Sequence, residues 1–436
     1  MTFKTKLTIV AASIGGVLIL GGVVSFLLYR LVVAPLFARS EPPPELEQAK
    51  VILGADLLAR SDFYKIGEKA SWSDFADPEK AKSNLDSIED MAVGELDGQP
   101  GLDIGLAGTF GLSLLDIHGQ MKKRITYRFA EEKVKVGPFE TERQKDSFYN
   151  MRILDVEGDG VCEVLAYNGL DGAVIFDQQG RVLLSREENV DGKPSIREVA
   201  AGDIDGDGIL EFVAGWGYDP SSIELFDRFG NGKWRLPEEF APGPFEIVDV
   251  DGDGKPEIVE DEGRNLKIRD AQGKVISNPE MPVYLWHLSL CPKPGVKGPP
   301  QNLAVRDGSL WLIDLDGKNY SKFDAPLSSI KLEKPRKLRT FPGEPDIVDE
   351  TDDVFRAKGV WIKLKKDQPE YLAVIATFAA LDRALFYVYD HTGKLVYHEI
   401  LPEDGNGIAV LKSEGDNGSE AVLIGGDKTV WRYTAR

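Results

Sequence analysis

Beyond residue 88 the chain reads as short apolar runs of period two, each broken by Gly, Asp or Asn before the next begins. "VAAGDIDGDGILEFVAG" (199–215) and "FEIVDVDGDGKPEIVED" (245–261) are strand, acidic loop, strand. A second punctuation follows. Strand-like runs are joined by Asp-x-x-Gly at Asp116–Gly119, Asp177–Gly180, Asp227–Gly230, Asp270–Gly273, Asp314–Gly317 and Asp390–Gly393. Asp and Gly suit the hairpin turn between two outer strands. Each unit thus holds four strands in about 40–50 residues. A lone four-stranded sheet leaves its faces uncovered, so such units stack around an axis as the blades of a propeller.

Seven units are legible, at 88–130, 148–188, 197–237, 244–280, 284–325, 356–401 and 405–434. The expected fold class is all-β: a seven-bladed β-propeller preceded by one N-terminal transmembrane helix. The seventh unit offers "GIAVLK", "EAVLIGG" and "TVWRYTA", and then the chain stops short of a fourth strand. An early segment around Phe63–Trp72 is expected to supply it, since closure removes the exposed edges of an open ring. Upstream, Leu46, Ala49, Ile52 or Leu53, and Leu57 share one helical face, which predicts a helix over 45–60.

The loops carry the candidate chemistry. Asp-x-(Asp/Glu)-Gly-Asp-Gly occurs at Asp155–Gly160, Asp203–Gly208 and Asp249–Gly254, and a Glu follows each at Glu163, Glu211 and Glu257. Carboxylates therefore stand at positions 1, 3, 5 and 9: Asp155, Glu157, Asp159 and Glu163; Asp203, Asp205, Asp207 and Glu211; Asp249, Asp251, Asp253 and Glu257. Those oxygens suit a hard cation such as Ca²⁺, and the glycines permit the turns that let them converge. A solvated acidic turn would need no such repeated spacing. An EF-hand would need a bidentate carboxylate at position 12, where Ala166, Ala214 and Glu260 stand, and helical rather than strand-like flanks. The motif decays outside these three units. The first has Glu95, Asp97, Gln99 and Asp103, a marginal site; the seventh has Lys412, Glu414, Asp416 and Glu420, where Lys412 replaces the first carboxylate. The fifth ("LCPKPGVKGPPQN") and sixth ("LKKDQPEYL") lack the acids, so about three structural calcium sites are expected.

"GDIDGDGILEFVAGWG" resembles the FG-GAP repeat, also called the VCBS repeat. Its pattern falls on Gly202, Asp203, Asp205, Asp207, Gly208, Glu211, Phe212 and Gly215. The resemblance covers 88–434 and is closest in the second to fourth units. It implies a seven-bladed propeller with calcium in the inter-strand hairpins, as in the head of integrin alpha subunits. It also implies recognition of proteins or glycans, and kinship with bacterial membrane-anchored members.

Charge and termini narrow the setting. A net charge of −20 with no Lys/Arg cluster argues against nucleic acid. Cys162 and Cys291, far apart, predict neither a disulfide framework nor a metal site. Leu7–Tyr29 is free of charge and the apolar run continues to Phe37. That exceeds the ~20 residues that cross a bilayer and the ~7–15 of a cleaved signal core. The predicted parsing is a tail (1–6), a transmembrane anchor (7–37), a Pro/Glu-rich linker with a short helix and the closing strand (38–87), and the propeller (88–436). Calcium loops of this kind work at the ~0.1–1 mM found outside the cytosol, which places the N-terminus in the cytoplasm and the propeller in the periplasm or at the cell surface.

Catalytic signatures are thin. His118, His287, His391 and His398 fall in or beside strands and turns, without ligand spacing, and are expected as surface or turn residues. No nucleophile motif or phosphate loop occurs. The aromatics are expected mostly as blade packing, with Trp216 and Tyr218, in "GWGYDPSS" between two strands, the best placed of them to reach a face. The departures at 291–300 and 326–355 either carry specificity, because binding concentrates in loops on rigid scaffolds, or merely span blades of unequal size. The function expected is a membrane-anchored, calcium-stabilised module that binds a protein or glycan. The alternatives are a lyase-type carbohydrate-active enzyme and a structural subunit of an envelope complex.

Overall fold

Seven antiparallel sheets stand around an axis in the computed structural model of this chain, one for each unit of the sequence. The structure describes residue 46 and residues 50–436 other than 67–86, 97–101, 144–146, 188–195, 218–220, 294–297, 340–346, 413–418 and a few one- or two-residue loop positions. The predicted anchor lies outside these residues, and no helix among them is long and apolar enough to cross a membrane.

The third blade shows why these residues form strands. Its inner strand Ile196–Gly202 mixes buried positions (Ile196, Val199 and Ala200) with half-buried ones and one exposed. Glu211–Trp216 and Ser222–Phe226 are buried throughout, whereas the outer strand Gly232–Pro237 is largely exposed. Radial stacking produces this gradient, because neighbouring blades cover both faces of the two middle strands. There is accordingly no single core. Seven apolar clusters fill the seven seams between blades. Leu165 and Tyr167 meet Phe212 and Trp216 between the second and third blades. Phe386 and Tyr397 meet Val422, Trp431 and Tyr433 between the sixth and seventh.

The ring closes at the seventh blade. Gly407–Lys412, Glu420–Gly425 and Thr429–Ala435 are its first three strands, and Leu58–Lys65 is its fourth. Leu58 pairs with Ala435 and Lys65 with Thr429. The closing strand thus lies upstream of the expected Phe63–Trp72 and overlaps it only at its end. The helix predicted over 45–60 is absent: Val51–Leu53 is a strand on the edge of the sixth blade, beside Leu395–Leu401, and the closing strand follows. A buried carboxylate locks this junction. Glu399, 1% exposed, pairs with Arg60 of the closing strand and accepts hydrogen bonds from Tyr397 Oη (2.8 Å) and Tyr433 Oη (2.9 Å).

The two faces of the ring differ. Loops from inner to second strand and the Asp-x-x-Gly turns share one face, and connections between blades share the other. Two hairpins extend the latter: Glu132–Val136 with Phe139–Arg143, and Ser329–Arg339 with the first half of Ile347–Ile362.

Candidate functional site

Each acidic loop begins where an inner strand hands over to the second, as at Gly202 opposite Glu211. The first Asp then organises the turn. Asp203 Oδ1 accepts from Gly206 N (2.8 Å) and Asp207 N (3.0 Å), and Oδ2 from Gly208 N (2.9 Å). Asp155 repeats this with Gly158, Asp159 and Gly160, and Asp249 with Gly252 and Gly254. Asp159, Asp207 and Asp253 turn back to accept from the N–H two residues on. The Glu at position 9 accepts from the residue after position 1: Val156 for Glu163, Ile204 for Glu211, Val250 for Glu257. In the first blade Asp103 accepts from Leu96 N at 3.3 Å, which aligns it with position 9. Asp97 and Gln99 lie outside the described residues; Glu95 is described and its backbone oxygen accepts from Cys162 N at 2.9 Å.

The loops differ in how they gather acids. Asp203, Asp205 and Glu211 bring carboxylate oxygens within 4.8 Å of one another, as do Asp249, Asp251 and Glu257. The second loop has no such group: Glu157 turns to Arg228 of the next blade, at 2.5 Å. Burial pushes Glu257 above its ordinary range, and Asp251, Asp249 and Asp253 push it further. Burial does the same to Glu163, helped by Asp159, Glu157 and Asp155. Although burial acts upward on Asp249, the N–H groups of Gly254 and Gly252 hold it below its usual value. Hard oxygen donors in mutual repulsion fit a hard divalent cation.

The axis of the ring holds a second assembly. A cavity of about 500 Å³ is lined from every blade, including Asp90, Arg152, Glu198, Glu246, His287 and Lys358. Two ion pairs link blades that are not neighbours. Arg152 of the second blade grips Glu246 of the fourth through two bonds of 2.7 and 2.6 Å. Lys358 of the sixth meets Asp90 of the first at 2.8 Å. Tyr167 donates to Glu198, which burial raises to about 7. Burial lowers His287 to about 4, and Arg356 and Lys358 beside it act in the same direction.

Several candidates sit elsewhere than expected. Trp216 is wholly buried beneath Arg235 and donates to Glu224 Oε2 at 3.0 Å, so it reaches no face; Tyr218 lies outside the described residues. His398 is 1% exposed and stacked on Tyr387, and His287 faces the channel, while His118 and His391 are exposed in turns. At the 291–300 departure Cys291 is buried and Lys293 covers Trp361. Sequence spacing missed two features of the hairpin-bearing face. Asp382, Asp404 and Asp427 gather there from three separate turns. A cavity of about 560 Å³ is walled by Glu238, Glu260, Asp261, Lys267 and Tyr284, with Phe240 on its rim.

Comparison with known proteins agrees with this architecture. The FG-GAP-like repeat family matches residues 203–260. No curated protein matches the sequence. Similar solved structures include BBS1N in complex with ARL6DN, at 9% identity and TM-score 0.51 over 89% of this chain and 98% of that one. Streptogramin B lyase follows at 10% identity and TM-score 0.50, over 87% and 98%. These likenesses are of fold alone. Residues 203–260 match the FG-GAP-like repeat family, and the chain folds as a seven-bladed β-propeller.

Proposed function

We propose that this chain is a membrane-anchored, calcium-stabilised propeller that binds a protein ligand outside the cytoplasm, on the face opposite its acidic loops. The asymmetry of the faces carries the reading. One face holds regular hairpins; the other gathers both added hairpins and the 560 Å³ cavity. Projections on a rigid ring are where recognition concentrates. Such a propeller hosts protein binding elsewhere: BBS1N was solved in complex with ARL6DN. The apolar run Leu7–Phe37 supplies the anchor.

Calcium serves as a clamp in this reading. Asp155, Glu157, Asp159 and Glu163, with their counterparts at 203–211 and 249–257, would hold it, and the ion would offset the repulsion among their carboxylates. The turns are already shaped by backbone N–H donors, so the ion consolidates a formed loop.

Two exposed phenylalanines offer a matched test. Phe240, 75% exposed, rims the cavity on the hairpin-bearing face, and Phe229, 68% exposed, sits in an Asp-x-x-Gly turn on the other. A photocrosslinking phenylalanine analogue at each position, in the full chain in its own membranes, is expected to capture a protein from 240 and none from 229. Capture from 229 alone, or from neither, defeats the reading. Protease digestion of intact and permeabilised cells checks the side of the membrane.

A further inference from the structure

The outer strands of the first four blades share a defect. In each, one residue is squeezed out of register against the third strand. Lys123 pairs with Leu114 and Met121 with Leu115, leaving Lys122 extra. The same shift isolates Leu183 in the second blade, Lys233 in the third and Ile276 in the fourth. A bulge of this kind re-aims the extra side chain. Lysine and aliphatic residues alternate at it over these four blades.

The two lysines reach the acidic loops. Lys233 Nζ lies 2.6 Å from Asp205 Oδ2 and 2.8 Å from Glu211 Oε1, between positions 3 and 9. Lys122 Nζ lies 2.6 Å from Asp103 Oδ1, the position-9 acid of the first blade. Each takes oxygens that a cation in the loop would need. Leu183 and Ile276 are instead 51% and 52% exposed, and no ion pair reaches Glu163 or Glu257 among the described residues.

We propose that this bulge residue sets how readily an acidic loop takes a divalent cation: a tethered ammonium raises the concentration the third loop needs, and the aliphatic residue leaves the second and fourth open. The inference rests on the calcium reading above and ranks its sites. A lysine anchored one strand away competes at an effective concentration that free ions must exceed. The fourth loop, with Asp249, Asp251 and Glu257 gathered and, among the described residues, no ion pair to any of them, fills first. The second follows, because Glu157 must first leave Arg228, a partly exposed pair that holds it only modestly. The third loop, though its sequence matches the repeat best, fills last of the three.

Calcium titration of the full chain tests this, with occupancy read loop by loop as hydrogen-exchange protection of 155–163, 203–211 and 249–257. In the unaltered protein the fourth loop is expected to be protected at a calcium concentration about tenfold below the third. Lys233→Leu should bring the third loop into step with the fourth, Lys233→Arg should leave it lagging, and Ile276→Lys should weaken the fourth about tenfold without moving the second. Positions 233 and 276 are both solvent-accessible, so folding is not at stake. Equal filling of all three loops, unmoved by Lys233→Leu, overturns the sorting and leaves the calcium reading standing. No protection in any loop, with or without Lys233, overturns both.

Discussion

The second to fourth blades and the fifth to seventh build the same four-stranded sheet and hold its inner hairpin by different means. In the former, a carboxylate at position 1 collects backbone N–H groups and a buried Glu at position 9 ties the loop to the second strand. In the latter, uncharged partners and neighbouring blades take over. Asn302, buried in the fifth blade, accepts from Ser289 N at 2.8 Å. In the sixth, Tyr387 and Tyr389 of the third strand tie the blade to its predecessor by donating to Pro326 O and Asp324 O. Glu420, the position-9 acid of the seventh, accepts from Lys363 N of the sixth at 2.7 Å. The inner hairpins of one half depend on clustered charge that an ion can modulate; those of the other are held by single hydrogen bonds and by neighbouring blades.

The sharpest way to expose that difference is to damage the half held without clustered charge. Phe386 is fully buried, and its ring lies 4.7 Å from Tyr433 and 5.6 Å from Tyr397 at the seam beside the closing strand. Phe386→Ala should cost about 3–5 kcal/mol, measured by denaturant unfolding, and the loss should be the same with calcium or chelator. A loss that changes with calcium would mean that the two halves are coupled.

The complementary measurement removes the ion. Chelation should lower stability by about 2.7 kcal/mol for each site previously held at a hundred times its Kd. Hydrogen exchange should rise in 155–163 and 249–257 and stay level at Glu399 and its tyrosine partners. Uniform loosening around the ring would erase the distinction between halves.

What was legible in the sequence follows the same division. The acidic loop and the Asp-x-x-Gly turn are local, so their period marks the blades even where the acids have decayed. The closing strand is not local. Leu58–Lys65 acquires its strand partners from Thr429–Ala435, and the apolar spacing of Leu46, Leu53 and Leu57 satisfies a helix as well as it satisfies strands. Trp216 lies at the end of a strand, where a face was within reach, yet the neighbouring blade buries it. The channel pair of Arg152 and Glu246 and the trio Asp382, Asp404 and Asp427 join residues that only the closed ring brings together. Lys233 needed the bulge register, which no residue pattern announces.

The channel wall sharpens the comparison through pH. On the side of the third blade, Glu198 titrates near 7, above its unfolded value of about 4.3. The folded chain therefore holds the extra proton, and stability contributed below about pH 4 is lost as pH rises to 7. Across the channel His287 of the fifth blade, and away from it His398, buried in the outer strand of the sixth, are lowered by burial to about 4 from an ordinary 6.5. Their contribution is full above pH 6.5 and is lost as pH falls toward 4. Glu198→Gln should raise stability at pH 8 by on the order of 2 kcal/mol and flatten the curve between pH 4 and 7. His398→Phe should leave that limb alone and soften the acid one. Identical pH curves for the two variants would show that neither group titrates as its surroundings require.

The smallest effect separates backbone need from packing need. Gly208 closes an acidic loop at φ +87° with open space where a Cβ would stand. Gly393 has a similar φ of +83°, but a Cβ there would stand 1.9 Å from Phe323 Cε1, on the outer strand of the preceding blade. Gly208→Ala should therefore cost only the left-handed backbone penalty, about 1 kcal/mol. Gly393→Ala should cost more, because Phe323 must also move. If chelator leaves the Gly208→Ala loss unchanged, backbone strain accounts for it. A loss that disappears with chelator would assign the glycine to ion binding, because only a loop drawn tight by its ion would then require that conformation.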